Sequence, residues 1–401
     1  MATLSPKPHW LGRLVTILLV ILFFYPVVQS AAVLQAMDEG QIRFDFDAFY
    51  LVGRMAAEGR AADAYDVVIM GEIQREMLGY DGFMPWTYPP QYDLIAALLA
   101  LLPRALSFAL FTGLTLGAYL LLLSRLAGPA LPVVLLALTP PILSGAAIGQ
   151  NGFLTGSLIA AVVLLSLRNR DAAGWWLGLL VIKPHLGVGL ALQALAAGRW
   201  RVLAIALLVA AAASLAATWA FSPGIWGAFR EAIDAAGRAL AAGSYPLFRM
   251  ISVYALLHTL GAPPALAFWV HIGVAIGACA LVVAAVRKGM APRHSLALAC
   301  FASVLLSPYF YDYDLTIAGV GLALVASDVL ARTGIVERLL LLAVAWVAGG
   351  WGLFHVVMTS GLEWQDLFTV TRNTLAYGAA AYLLLLAMIA RILWRPAPVP
   401  A

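Results

Sequence analysis

Three short clusters carry chemistry that an apolar chain does not need for folding. The first is Arg43-Phe44-Asp45-Phe46-Asp47-Ala48-Phe49-Tyr50. Asp45 and Asp47 face the same way on an extended chain and diverge on a helix. A carboxylate at a dry membrane boundary has its neutral form favoured, which raises its pKa toward general-base duty; a solvated loop with membrane-anchoring aromatics accounts for the same residues equally well. The second is Lys183-Pro184-His185, midway along the apolar stretch 172–197. A lysine there is costly unless it faces a cavity or an anion, and proline breaks the helix beside it. A cation at a broken helix suits a phosphate, while snorkelling of Lys183 to the interface is the bland alternative. The third is Tyr309-Phe310-Tyr311-Asp312-Tyr313-Asp314. Flat rings such as Tyr311 stack on sugar faces, and acids such as Asp312 and Asp314 hold hydroxyls. An aromatic belt explains the tyrosines but explains the two acids at a span's start less well.

Two weaker motifs join them. Gly149-Gln150-Asn151-Gly152 puts two side-chain amides on a turn, where they can bond sugar hydroxyls or cap helices. Tyr88-Pro89-Pro90 fixes an extended lead into the next segment. His258, His271, His294 and His355 are scattered without ligand spacing, so no metal site is expected. Cys279 and Cys300 lie in apolar runs and read as small buried hydrophobes.

The elements that must position these residues are set by composition. Of 401 residues, 63% are hydrophobic and 11% charged, whereas a soluble domain carries about 25% charged residues. Lipid is therefore the main solvent. The net charge of +4 comes from Lys and Arg between apolar runs, as in cytoplasmic loops, and does not point to nucleic acid. Residues 14–24 follow Lys7 and Arg13, and the apolar stretch runs on to Val33, so it reads as an anchor with a cytoplasmic N-terminus rather than a cleaved signal. Dividing the chain by the roughly 20 residues that cross a bilayer gives an all-α, polytopic bundle of about 12 spans. It forms a single membrane domain over 1–401, with a long first extracytoplasmic loop at 35–90 carrying interfacial helices near 46–58 and 63–78. Residues 91–102 are too short to span and read as interfacial or re-entrant; spans are expected near 105–124, 130–146, 153–167, 202–221, 264–286, 294–307, 315–331, 339–358 and 374–393. With Arg168-Asn169-Arg170, Arg199-Trp200-Arg201, Arg287-Lys288 and Arg395 inside, five segments share the extracytoplasmic side. They are 35–90, Gly149-Gln150-Asn151, Lys183-Pro184-His185, 222–262 and the Tyr/Asp turn.

Taken in order, these motifs resemble a known family. Asp45-Phe46-x-x-Phe49-Tyr50, then Gly53-Arg54 and Ala64-Tyr65-Asp66, is similar to the first loop of the DUF2029 proteins, glycosyltransferase family 87. Tyr88-Pro89-Pro90, Gly149-Gln150-Asn151, Gly178-Leu179 with Lys183-Pro184, Arg199-Trp200-Arg201 and Ser307-Pro308-Tyr309 through Asp314-Leu315 recur there in the same order, so the resemblance covers roughly 10–330. It implies the GT-C membrane fold and an inverting transferase of the plasma membrane. The donor it implies is a polyprenyl-phosphate sugar, often mannose, and the acceptor an extracytoplasmic glycolipid or glycan. Asp45 then takes the role of base, with Asp47 an extra acid beyond the family pattern. Lys183, His185 and Arg54 become candidates for the donor phosphate, and Tyr88, Gln150, Asn151, Tyr311, Asp312 and Asp314 for sugar and acceptor. No cofactor is implied, and there is no Gly-rich phosphate loop. A secondary transporter shares the broken helices and the midmembrane lysine, but the sequence lacks an inverted pairing of interrupted spans. A lipid-linked-substrate binding protein without turnover is the other alternative.

Overall fold

The computed structural model describes residues 9–36, 44–78, 84–359, 370 and 373–395. Lys7 and Arg43 lie outside them. The described residues are helical, with no strand beyond an isolated bridge between Met250 and Tyr311. In chain order the helices are α1 (His9–Ala36), α2 (Phe44–Ala57), α3 (Val67–Leu78), α4 (Pro90–Leu99), α5 (Arg104–Ala127), α6 (Leu131–Ala137), α7 (Thr139–Ile148), α8 (Gly152–Leu167), α9 (Ala173–Leu179), α10 (Val188–Ala196), α11 (Trp200–Phe221), α12 (Ile225–Ala241), α13 (Val253–Thr259), α14 (Pro264–Arg287), α15 (Pro292–Val304), α16 (Thr316–Arg332), α17 (Ile335–Met358) and α18 (Tyr377–Trp394).

Among the described residues, 7 helical stretches are long and apolar enough to cross a membrane by length and composition, against about 12 expected. They are Gly12–Gln35, Arg104–Ala137, Trp200–Phe221, Pro264–Arg287, Asp312–Arg332, Ile335–Met358 and Tyr377–Trp394. Much of the remaining apolar sequence lies in helices too short to cross by themselves. At 1.5 Å per residue, α7, α8, α9, α10 and α15 cover only part of a hydrocarbon core about 30 Å thick. Many of the apolar residues of α7, α8, α10 and α15 are buried against protein: Ile142, Phe153, Ile159, Val163, Leu190 and Cys300 are all essentially inaccessible. The expected span at 130–146 is divided at Leu138 between α6 and α7, and α6 instead continues the α5 stretch.

The outer helices show the opposite pattern. On α11, Leu207, Leu208, Leu215 and Trp219 are exposed, which an apolar helix tolerates when its surroundings are lipid tails. Within the expected long loop at 35–90, α2 is packed into the body. Phe46, Phe49, Val52 and Met55 of α2 are buried. Phe49 meets Trp86, Tyr88, Tyr92 and Phe111 at ring-centroid distances of 5.2–6.3 Å. Edge contacts of this kind suit the ring quadrupoles and fix α2 against the start of α4.

Candidate active site

The half-length helices stop where the unusual residues are. Between α7 and α8 the chain turns at Gly149, whose φ is +68°, a conformation that favours glycine. A Cβ there would also sit 2.7 Å from the Cβ of Phe46. The turn presents Gln150 and Asn151, which are 1% and 0% exposed. Between α9 and α10 the chain is broken into two short 3-10 turns, Leu180–Ile182 and Pro184–Leu186, with Lys183 shared between them. Pro184 cannot supply an N–H to continue a helix, so the lysine sits at the break.

The Tyr/Asp turn approaches from α16. Its 3-10 segment Asp312–Leu315 is fixed by Thr316 Oγ1 donating to the Gly152 carbonyl at 2.8 Å, and by Tyr119 donating to the Thr316 carbonyl at 2.8 Å. The segment before α13 is tied to the same turn. Ile251 N–H donates to Phe310 O at 2.6 Å, and Ser252 Oγ to Pro308 O at 2.8 Å. This brings Arg249 beside Asp312.

A cavity of about 430 Å³ lies where these pieces meet. Asp45, Tyr88, Lys183, His185, Arg249, Tyr311, Tyr313 and Asp314 line it, and α12 closes one side with Phe229, Ile233 and Ala236. Lys183 Nζ is 2.7 Å from each carboxylate oxygen of Asp314 and 3.3 Å from Asn151 Oδ1. Arg249 makes a fork with Asp312 at 3.1 and 2.8 Å. Tyr313 lies between the two cations, with Lys183 Nζ 5.3 Å and Arg249 Cζ 5.7 Å from its ring centre, within cation–π reach. Tyr311 stacks on Tyr313 at 5.5 Å.

Asp45 is held differently. Gln150 Nε2 donates to its Oδ2 at 2.7 Å. The orientation of that amide is set by its other end, where Gln150 Oε1 accepts from Asn151 N–H at 3.0 Å and from the Tyr88 hydroxyl at 3.3 Å. Among the described residues Asp45 makes no ion pair. Burial raises its pKa above the ordinary aspartate value, against the opposing pull of Arg249, the Gln150 amide and Lys183. Asp47 diverges from it on the helix and forks with Arg104 at 2.7 and 3.1 Å, with both side chains largely buried. That bond joins the start of α2 to the start of α5.

The sequence-predicted residues therefore occupy three settings. Asp45, Tyr88, Lys183, His185, Tyr311 and Asp314 line the cavity. Gln150, Asn151 and Asp312 lie behind its wall and hold the lining residues. Asp47 is in its own ion pair, and Arg54 is exposed on the last turn of α2, away from the lining. Arg249 was missed. In sequence it is one arginine among Arg230, Arg238 and Arg249 of a polar stretch, and only its neighbours Leu247, Phe248, Met250 and Ile251 hint that it is buried.

No curated protein and no solved structure matches the chain. Residues 86–308, more than half of it, match the sequence model of glycosyltransferase family 87. With the ordered motifs gathered around one cavity of a membrane-helix bundle, the chain belongs to glycosyltransferase family 87 and is a glycosyltransferase.

Proposed function

We propose that the cavity transfers a hexose, mannose in the first instance, from a polyprenyl-phosphate donor to a glycolipid or glycan acceptor on the extracytoplasmic side of the plasma membrane. Asp45 is the general base. It accepts the proton of the acceptor hydroxyl as that oxygen attacks the anomeric carbon. The anomeric C–O bond to phosphate breaks on the opposite face, and the polyprenyl phosphate leaves with the bonding pair. Stereochemistry inverts.

The observation that carries this reading is the contrast among the buried acids. Asp47, Asp312 and Asp314 are each paired with a cation, which commits their carboxylate oxygens to those bonds. Asp45 is instead oriented by a neutral amide and its proton affinity is raised. A base needs free lone pairs and a pKa near its working pH. Lys183 and Arg249 are the cations placed to steady the leaving phosphate, with His185 beside Lys183 on the cavity wall. Each cation already holds an aspartate, so the cavity suits a singly charged phosphodiester better than a nucleotide diphosphate. Tyr88 and Tyr311 offer ring faces to sugar.

The test is incubation of the purified protein with labelled polyprenyl-phosphate mannose and cell-envelope lipids. A new labelled glycolipid that depends on Asp45 supports the reading. Transfer only from a nucleotide sugar overturns the donor assignment.

A further inference from the structure

The cavity wall is braced from behind by a buried carboxyl group that touches no part of the cavity. Asp93, in the first turn of α4, is 0% exposed. Its Oδ1 accepts from Trp86 Nε1–H at 2.9 Å, and its Oδ2 lies 2.9 Å from the Tyr65 hydroxyl. The same Tyr65 hydroxyl is 2.9 Å from the main-chain carbonyl of Tyr88. A phenol has one proton to donate. The Tyr88 carbonyl can only accept, so if Tyr65 donates there, the hydrogen in the other bond must come from Asp93. An ionised Asp93 would set two acceptors against one hydrogen and bury an unpaired charge. A carboxylic acid satisfies all three contacts at once: Oδ2–H donates to Tyr65, Tyr65 donates to the Tyr88 carbonyl, and Trp86 donates to Oδ1.

We propose that Asp93 is a positioning residue that works as a neutral carboxylic acid, passing a hydrogen bond through Tyr65 to the Tyr88 main chain and so setting the Tyr88 hydroxyl that orients Gln150 and Asp45. The line of contacts is continuous. Tyr88 donates to Gln150 Oε1, and Gln150 donates to Asp45. The effect on turnover rests on Asp45 acting as base; the protonation of Asp93 does not.

Among the described residues, the surrounding charges do not supply a cation to stabilise an ionised Asp93. On α2, Asp47 is paired with Arg104 from α5, Asp45 faces Gln150, and Arg54 is exposed. Arg230, Glu231, Asp234 and Arg238 of α12 are exposed, as is Arg201 of α11. Lys183, after the turn at 180–182, is held by Asp314. Burial accordingly pushes the Asp93 pKa up to about 8, with the bond from Trp86 pulling the other way. The folded chain holds this proton more tightly than the unfolded chain. The stability it contributes is full below the ordinary aspartate pKa and is lost as pH rises through about 8.

The discriminating variant is Asp93→Asn, whose amide donates to Tyr65 and accepts from Trp86 as the neutral acid does. In the full-length protein, assayed with labelled polyprenyl-phosphate mannose and envelope lipids, Asp93→Asn is expected to keep turnover within about threefold of the parent near neutral pH. Asp93→Ala and Tyr65→Phe are expected to lose about tenfold or more. Between about pH 7 and pH 9 the parent falls and Asp93→Asn does not share that fall. Equal loss in Asp93→Asn and Asp93→Ala, or identical alkaline profiles for parent and Asp93→Asn, overturns the proposal. Infrared difference spectra of parent against Asp93→Asn decide it without turnover. A protonated-carboxyl stretch near neutral pH, absent in the variant, supports it even if the donor assignment is wrong. A carboxylate band lost in its place overturns it.

Discussion

Lys183 and Asp314, 131 positions apart in the chain, meet in a two-pronged ion pair with both Nζ–O distances at 2.7 Å. The lysine side chain is 10% exposed and the aspartate 1%. Removing one partner from such a pair strands the other charge, at a cost of about 3–5 kcal/mol, whereas neutralising both together is often tolerated. Lys183→Met alone should therefore lower thermal stability in detergent substantially, and Lys183→Met combined with Asp314→Asn should recover most of the loss. A single variant as stable as the double would show that the pair is not holding the break to the Tyr/Asp turn. Both variants should bind donor poorly, so stability and binding separate the structural role of Lys183 from its proposed contact with phosphate.

Asp45→Asn keeps size and the contact region with Gln150 but cannot take a proton. Turnover should fall by about 10²–10⁴-fold, with the folded fraction unchanged in size-exclusion profiles. Asp47→Asn should show the reverse pattern. It weakens the fork to Arg104, so stability drops by about 1.5–3 kcal/mol while turnover per folded molecule changes little. The pH profile adds a sign. A base works when ionised, so transfer by the parent should decline on acidification, beginning above the ordinary aspartate range because burial raises the Asp45 pKa. Residual transfer by Asp45→Asn should lack that acid limb.

Gly352 of α17 lies outside the family match, yet a Cβ at this position would collide with the Asp312 carboxylate and come within 3.0 Å of the Arg249 side chain. Overpacking of this kind costs about 1–3 kcal/mol. Gly352→Ala should displace the Arg249–Asp312 fork and reduce both stability and turnover. Gly350→Ala, where a Cβ meets only the Pro140 ring at 3.1 Å, should have the milder effect on turnover.

Sidedness can be read by cysteine labelling. Ser222 and Arg170 are both exposed and are expected on opposite faces. In a C279A/C300A background, Ser222→Cys should react with an impermeant thiol reagent from outside intact cells, and Arg170→Cys only after permeabilisation. The opposite pattern would put the cavity on the cytoplasmic side.

Much of the site was legible because chemistry stood out against apolar sequence. Lys183 beside Pro184 and the paired acids of the Tyr/Asp turn have no reason to exist in hydrocarbon, and the basic loops put their segments at one end of the bundle. What could not be read was pairing. Nothing local to Lys183 names Asp314, and nothing local to Asp312 names Arg249, because those partners are fixed by tertiary packing. Asp93 reads as an ordinary acid in a helix's first turn until Tyr65 and Trp86 are placed around it. The number of crossing helices is hard to read from sequence for a related reason. The apolar side chains of α7, α8 and α15 face other helices, and composition does not distinguish protein from lipid as the neighbour.

The cavity draws Asp45 from the chain just after α1 and Asp314 from just before α16. A chain emerging from the ribosome therefore threads most of its helices into the bilayer before the two acids can face each other. No partly inserted chain carries the complete set of groups, so transfer competence is a late property of biogenesis. A chain stalled before α16 would carry Asp45 without Asp312 and Asp314, leaving Lys183 and Arg249 without their counter-ions. Such a chain is incomplete in charge as well as in chemistry.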